Sequence, residues 1–392
     1  GAGAIGFAIS IAEDNDVIQL EAGVYSEGST IDTLGKAITL RGVADADGDG
    51  VPETILDGAG AHRVLRHEGN PGDGPLILED LIIRGGADAP KGGGGAGLHV
   101  RQGSAILRRC GLEQNVSAGW GGGLFAELAT VDLEQCTLDA NQATHGGGLC
   151  LEDGRANLVD CTIRSNQAGG DGASVQFGGG IFAADYGSTS DAELTLTDCT
   201  LSNNTAVESG GGILVQLMST TITGCTFDAN TTLEGGGGLV LDGADATVTG
   251  CDFTGNSGGF GGGFHAVGPA TVDVAGCTFD ENAATIAGGL SIGSDISITL
   301  TDCTFTGNEV TSAQRSDDGG GAIHVVLRDS YMPYNGLALT NCTFTANQTV
   351  DGDPGNAHVA QGGAILIRTD EDDEDEDPEP EHDIDEIGRA HV

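Results

Sequence analysis

Aromatic residues make up only 4% of the 392-residue chain, too few for the ring-filled core of an ordinary globular domain. Basic residues are scarcer still: 15 Lys and Arg stand against 59 Asp and Glu, a formal charge of −44. Such a surface repels nucleic acid and anionic membranes, which excludes a DNA-binding role. No apolar run is long enough to span a bilayer. Neither an initiator Met nor a signal peptide is present, so Gly1 reads as a cut or processed start. No CxxC pair exists, which argues against zinc. The 3.6-residue period of a long helix is missing as well. Hydrophobic residues at 38% still exclude wholesale disorder.

What the chain does have is a period. Nine of its cysteines, Cys110, Cys136, Cys161, Cys199, Cys225, Cys251, Cys277, Cys303 and Cys342, keep a spacing of 26 residues with two insertions of about half a repeat. An aliphatic residue stands three before each, from Leu107 to Leu339, and Leu, Ile or Phe two after, from Leu112 to Phe344. Five after each comes asparagine, from Asn115 to Asn347. A Gly-rich step and another aliphatic residue close the unit, as in Gly210-Gly211-Gly212-Ile213. Short alternating runs broken by Gly and Asn are strands and turns. A fixed period of this size makes each repeat one coil stacked on the last. The cysteine is then a small, inward, free thiol; LILEDLIIRGG (76–86) has the same frame with Leu81 in its place. Glycine supplies corners with φ > 0, and the asparagines form a hydrogen-bonded ladder.

The segments FDAN (227–230), FTGN (305–308), FTAN (344–347) and GGAI (362–365) carry a resemblance, as do DVIQLEAGVYSE (16–27), AITLRG (37–42) and ETILDG (53–58). On them the chain resembles the right-handed parallel β-helix proteins of the pectin-lyase-like superfamily, most of all those with polymorphic outer-membrane repeats. It departs from that pattern in having GGG for GGA in most coils and Leu or Ile for Phe in the early ones. The expected fold is all-β, a right-handed parallel β-helix of about eleven to twelve coils over residues 16–368. A capping segment, 1–15, precedes it, with Ile5, Ala8, Ile9 and Ala12 on one helical face. Residues 369–386 read as an acidic, disordered linker. IGRAHV, 387–392, reads as sequencing-adapter read-through and is set aside, so that the natural C-terminus is expected to be missing.

The resemblance speaks for fold more than function, because this fold hosts lyases, hydrolases, adhesins and spacers. It implies paired aspartates with a Gly-His-Gly step in hydrolases, and calcium-holding aspartates with a basic arginine in lyases. The chain has no NTD, GHG or RIK run; Asp317, Asp318, His324 and Arg328 are weak catalytic candidates, with a solvated turn as the alternative. One residue past each post-glycine aliphatic, an outward column reads His99, Phe125, Cys150, Phe182, Leu214, Val240, His265, Ser291, His324 and Leu366. It is either an open apolar stripe or a second small core under loops. Insertions at 167–177, 184–191, 309–318, 328–336 and 348–361 flank that strand, and RDSYMPYNG (328–336) brings rings of the kind that stack on sugars. Phe125, Phe182, His265, His324, Arg328, Tyr331 and Tyr334 are therefore the expected ligand-binding residues, for a polysaccharide or cell-surface glycan.

DADGDGVPE (45–53) begins like a calcium loop, with Asp45, Asp47, Asp49 and Glu53 as ligands of a structural calcium ion; a plain acidic turn is the alternative. Another face carries T-x-T pairs, Thr195/Thr197, Thr221/Thr223, Thr247/Thr249 and Thr299/Thr301, broken by Arg108, Asp132, Glu134, Asp273 and Ala275. The main expectation is a secreted or cell-surface, outer-membrane-associated, non-catalytic binding or structural passenger. The alternatives are a carbohydrate-active enzyme (polysaccharide lyase or glycoside hydrolase) working on acidic polysaccharide and, as a minor one, an ice-binding protein.

Overall fold

A computed structural model describes residues 3–45, 48, 51–88, 93–169, 176–187, 191–313, 319–328, 336–351 and 364–370. Three parallel sheets of twelve strands each wind the chain into twelve coils, the upper end of the expected number. At ~4.8 Å per coil the body is about 50–55 Å long. One coil shows the plan. Ser219–Thr223 belongs to the first sheet, Thr226–Asp228 to the second and Leu239–Asp242 to the third. Cys225 makes the first corner, Asn230 the second, and the Gly235–Gly238 step leads into the third sheet. Short strands ahead of the glycine step add small sheets of five and four strands.

Stacking in register sorts the side chains. Leu133, Leu158, Leu196, Ile222, Val248, Val274 and Leu300 pair in sequence along the first sheet, and all are buried. Phe227, Phe253, Phe279, Phe305 and Phe344 stack beneath the second sheet with ring centroids 4.5–5.1 Å apart. The repeating cysteines are free thiols, all buried but the half-buried Cys342. Each asparagine Nδ2 donates to the next coil's Oδ1 at 2.9–3.0 Å, from Asn115 through to Asn347. A second bond from each Nδ2 ends on a backbone carbonyl, so the buried amides are saturated.

The corners correct one expectation. Every residue just before a ladder asparagine is left-handed, yet glycine stands there only at Gly255 and Gly307; Gln114, Ala140, Ser165, Asn203, Ala229, Glu281 and Ala346 hold φ of 52–55°. The ladder and the strand pairing outweigh the steric cost of that conformation, about 1–2 kcal/mol per residue. Glycine is required at the step instead. A Cβ on Gly237 would lie 2.5 Å from the Ser257 carbonyl oxygen and 2.6 Å from that of Gly262. At the N-terminal end the helix Ala4–Ile11 plugs the core with Ile5 and Ile9, and Lys36 Nζ donates to the carbonyls of Ile9, Ser10 and Ala12 at 2.7–3.1 Å, closing its C-terminus.

Candidate functional site

The outward column of the third sheet is not an open stripe. Phe125 is 3% exposed and Phe182 1%, and with Cys150, Ala184, Leu214 and Val240 they form a second apolar core outside the coil. Among the described residues the cover comes from side chains just ahead of the glycine step, Phe177 at the end of the 167–177 insertion included. Trp120, His145 and Phe177 bridge one another on successive coils. The Trp120 and His145 rings lie 6.0 and 5.4 Å from Phe182, and Phe177 lies 6.1 Å from it. The expected ligand-binding roles of Phe125 and Phe182 are corrected accordingly: buried rings offer no contact area. His324 is 5% exposed in the same column. Burial pushes His265 down to about 4 and, with help from Arg63, Arg66 and Arg101, His99 to about 3; both rings are neutral near pH 7. Asp317, Asp318, Tyr331 and Tyr334 lie outside the described residues, and of Arg328 the structure gives the backbone, at the end of strand Ile323–Arg328.

Two positions further along that strand, Arg101, Glu127 and Glu152 face outward in register. Arg101 Nε is 3.2 Å from Glu127 Oε2. Glu152 has its carboxyl pushed up to about 7 by burial, by Glu127 and by Asp153.

The first sheet provides the open polar site. Strands Ser104–Arg108, Thr130–Glu134, Arg155–Val159 and Glu193–Thr197 alternate, so their leucines point inward and the residues between face solvent. Register then aligns Ile106, Asp132, Asn157 and Thr195 in one row, and Thr130, Arg155 and Glu193 in the next. Two shallow depressions lie on this face. One is lined by Thr130, Arg155, Glu193 and Thr195, the other by Ile106, Arg108, Glu134 and Val159, and both share Asp132 and Asn157. Together they make one polar groove across four coils. Arg155 Nε donates to the Asp191 carbonyl at 2.7 Å, which fixes the guanidinium. Arg108 spans Glu79 at 3.3 Å and Glu134 at 3.4 Å. Asn157 Nδ2 leans on Asp132 Oδ1 at 3.4 Å. Three carboxylates, two guanidinium groups and one amide thus share the groove. The sequence treated Arg108, Asp132 and Glu134 as defects in a threonine array; the signal was that charged residues of both signs replace threonine together, on adjoining coils.

The threonine pairs do face outward in register, as at Thr221↔Thr247, but Asp273 stands between Thr247 and Thr299. In the expected calcium loop, Asp45 Oδ1 accepts a bond from the Gly48 N–H at 2.6 Å and Glu53 is half-buried. Asp47 and Asp49 lie outside the described residues, and among the described residues no group of three or more His, Cys, Asp or Glu side chains could hold a metal ion.

Three parallel sheets with a polar groove along one of them define a parallel β-helix protein. The chain belongs to the right handed beta helix region family, whose model matches residues 172–370. No curated protein matches the sequence. Among solved structures it is similar to the A-module of a mannuronan C-5 epimerase of Azotobacter vinelandii, at 12% identity over 92% of each chain with a TM-score of 0.48. It is also similar to a mannuronic acid specific polysaccharide family 6 lyase from human gut microbiota, at 13% identity over 95% of this chain and 91% of that one, TM-score 0.37. A third is the tailspike of an Acinetobacter baumannii bacteriophage, a capsular polysaccharide depolymerase, at 12% identity over 86% and 58%, TM-score 0.40. Likeness at this level concerns the fold. The expectation of a non-catalytic passenger is nonetheless corrected: the structures the chain resembles are mostly enzymes of polysaccharides, and that reading is withdrawn.

Proposed function

We propose that the chain is a carbohydrate-active protein that works on an acidic polysaccharide laid along the first sheet, outside the cell or at its surface. The observation that carries this is the groove in which Asp132 and Asn157 join two depressions flanked by Arg108 and Arg155. A polymer parallel to the coil axis meets a new row of side chains every ~4.8 Å, so one chain can engage several coils at once. Arg155, held by a backbone carbonyl, presents its remaining N–H groups to a uronate carboxylate. That contact offsets the repulsion an anionic polymer meets on so acidic a protein. Asp132 supplies the carboxylate for proton transfer, and Asn157 orients it. The FxxN and GGAI segments (as at 227–230 and 362–365) also support a likeness to polymorphic outer-membrane repeats.

The test is incubation of the full chain with uronate-bearing and neutral polysaccharides, reading chain length, unsaturated ends and retention. Turnover of an acidic polymer is expected, with a loss of about 10²-fold or more in Asp132→Asn and Arg155→Ala. Activity that survives both substitutions, or neither turnover nor retention on any uronate polymer, would sink the reading.

A further inference from the structure

Although the expected stripe is covered, an apolar row does reach solvent, at the turn leading into the third sheet. Val207 (40% exposed), Leu233 (75%), Phe260 (43%) and the half-buried Ile286 occupy this turn on four successive coils. Backbone bonds join the four turns: Leu233 N–H donates to the Val207 carbonyl at 3.3 Å, Phe260 N–H to that of Gly235 at 3.4 Å, and Ala287 N–H to that of Phe260 at 2.7 Å. Apolar groups this exposed on a chain of charge −44 call for an occupant.

The charge around the row says which. Residues 165–314 contain no Lys or Arg, although Asp and Glu recur throughout, Glu208 and Glu234 directly beside Val207 and Leu233. The ion pairs of Arg41, Arg63, Arg66, Arg84, Arg101, Arg108, Arg109 and Arg164 lie within residues 32–164. The carboxylates flanking the row therefore have no basic side chain of their own segment to pair with, and Glu208 is pushed up by burial and by Glu234. A second copy would bring like charge against like. An acidic glycan would do the same. A neutral glycan would need flat ring faces, but Val207, Leu233 and Ile286 are aliphatic, and the Phe260 ring lies stacked on His265 at 5.1 Å. We infer that the Val207–Leu233–Phe260–Ile286 row is a docking surface for a basic, amphipathic polypeptide segment, whose apolar side chains cover the row while its Lys or Arg residues meet Glu208 and Glu234. The surface is separate from the first-sheet groove and does not depend on the saccharide reading.

The experiment titrates the full chain with a synthetic peptide of alternating lysine and leucine, and with its glutamate–leucine counterpart, at low and high salt. Leu233→Ser/Phe260→Ser removes the row without touching the core. Leu217→Ser, at an exposed leucine (61%) of another corner, is the control. The basic peptide is expected to bind, about tenfold or more weaker in the double variant and unchanged in Leu217→Ser, with affinity falling as salt rises. Equal binding by the double variant and the parent overturns the inference, as does equal binding of the acidic peptide. Sedimentation showing a dimer that the double variant abolishes, or retention of a neutral glucan that it abolishes, also overturns it by giving the row to another occupant.

Discussion

Replacing Asn230, at the middle of the ladder, asks how much of the stability rests on the stacked amides. Its Oδ1 accepts two bonds, from the Asn204 backbone N–H at 3.1 Å and from Asn204 Nδ2 at 2.9 Å. Its Nδ2 donates two, to the Leu201 carbonyl at 2.9 Å and to Asn256 Oδ1 at 3.0 Å. Asn230→Ala removes all four and strands a buried backbone N–H, one amide hydrogen of Asn204 and a carbonyl. At about 1–3 kcal/mol per buried group left unsatisfied, with part of the loss relieved by relaxation, the cost is about 3–5 kcal/mol. Asn230→Asp separates shape from hydrogen bonding. One carboxyl oxygen still accepts from Asn204, but the other faces two acceptors, the Leu201 carbonyl and Asn256 Oδ1. Only a protonated carboxyl can donate there, so its folded pKa is raised above the unfolded value of about 3.9. A raised carboxyl pKa gives stability that is fully present below the unfolded value and is lost as pH rises through the folded one. The variant should therefore approach the parent near pH 4 and fall away towards pH 8, while the alanine deficit stays nearly constant. Urea unfolding followed by circular dichroism at both pH values is the assay. A deficit under about 1 kcal/mol for the alanine variant, or a pH-independent one for aspartate, would refute the reasoning.

Glu152→Gln should stabilise the protein at pH 8 but not at pH 4. The wild-type carboxyl is raised to about 7, so its stability contribution is lost as pH climbs from about 4.5 through 7. Discounted for its partial exposure the gain is about 1 kcal/mol; equal melting of both proteins at pH 8 would count against it. Ala229→Gly relieves a left-handed corner at φ 52°. It should raise stability by about 0.5–1 kcal/mol, the steric relief less the extra chain entropy of glycine, and a lowered urea midpoint would contradict the account of the corners. The groove predicts a division between its two substitutions: Arg155→Ala should lose binding of uronate polymers more than of neutral ones, while Asp132→Asn should lose turnover with binding retained.

Whatever depends on a residue's place within its own coil was legible along the chain. Alternation and the 26-residue period were enough to put Leu107 to Leu339 and the cysteines inside and the asparagines in a ladder. Each of these positions is dictated by the same position one coil away, and the period states that neighbour directly. Which outward faces meet solvent depends instead on packing between coils. Phe125 and Phe182 read as open because alternation gives a direction and not a cover; the rings over Phe182 include Trp120, which sits two coils earlier and on a different part of its coil. Arg155 and Asp132 became a site because register set them on adjoining strands and left a depression between them, whereas along the chain they are 23 residues apart, Asp132 looks like a break in a threonine pattern and Arg155 gives no signal. Which corners needed glycine was likewise hidden, since the energy holding Ala229 left-handed comes from the stacked amides of neighbouring coils.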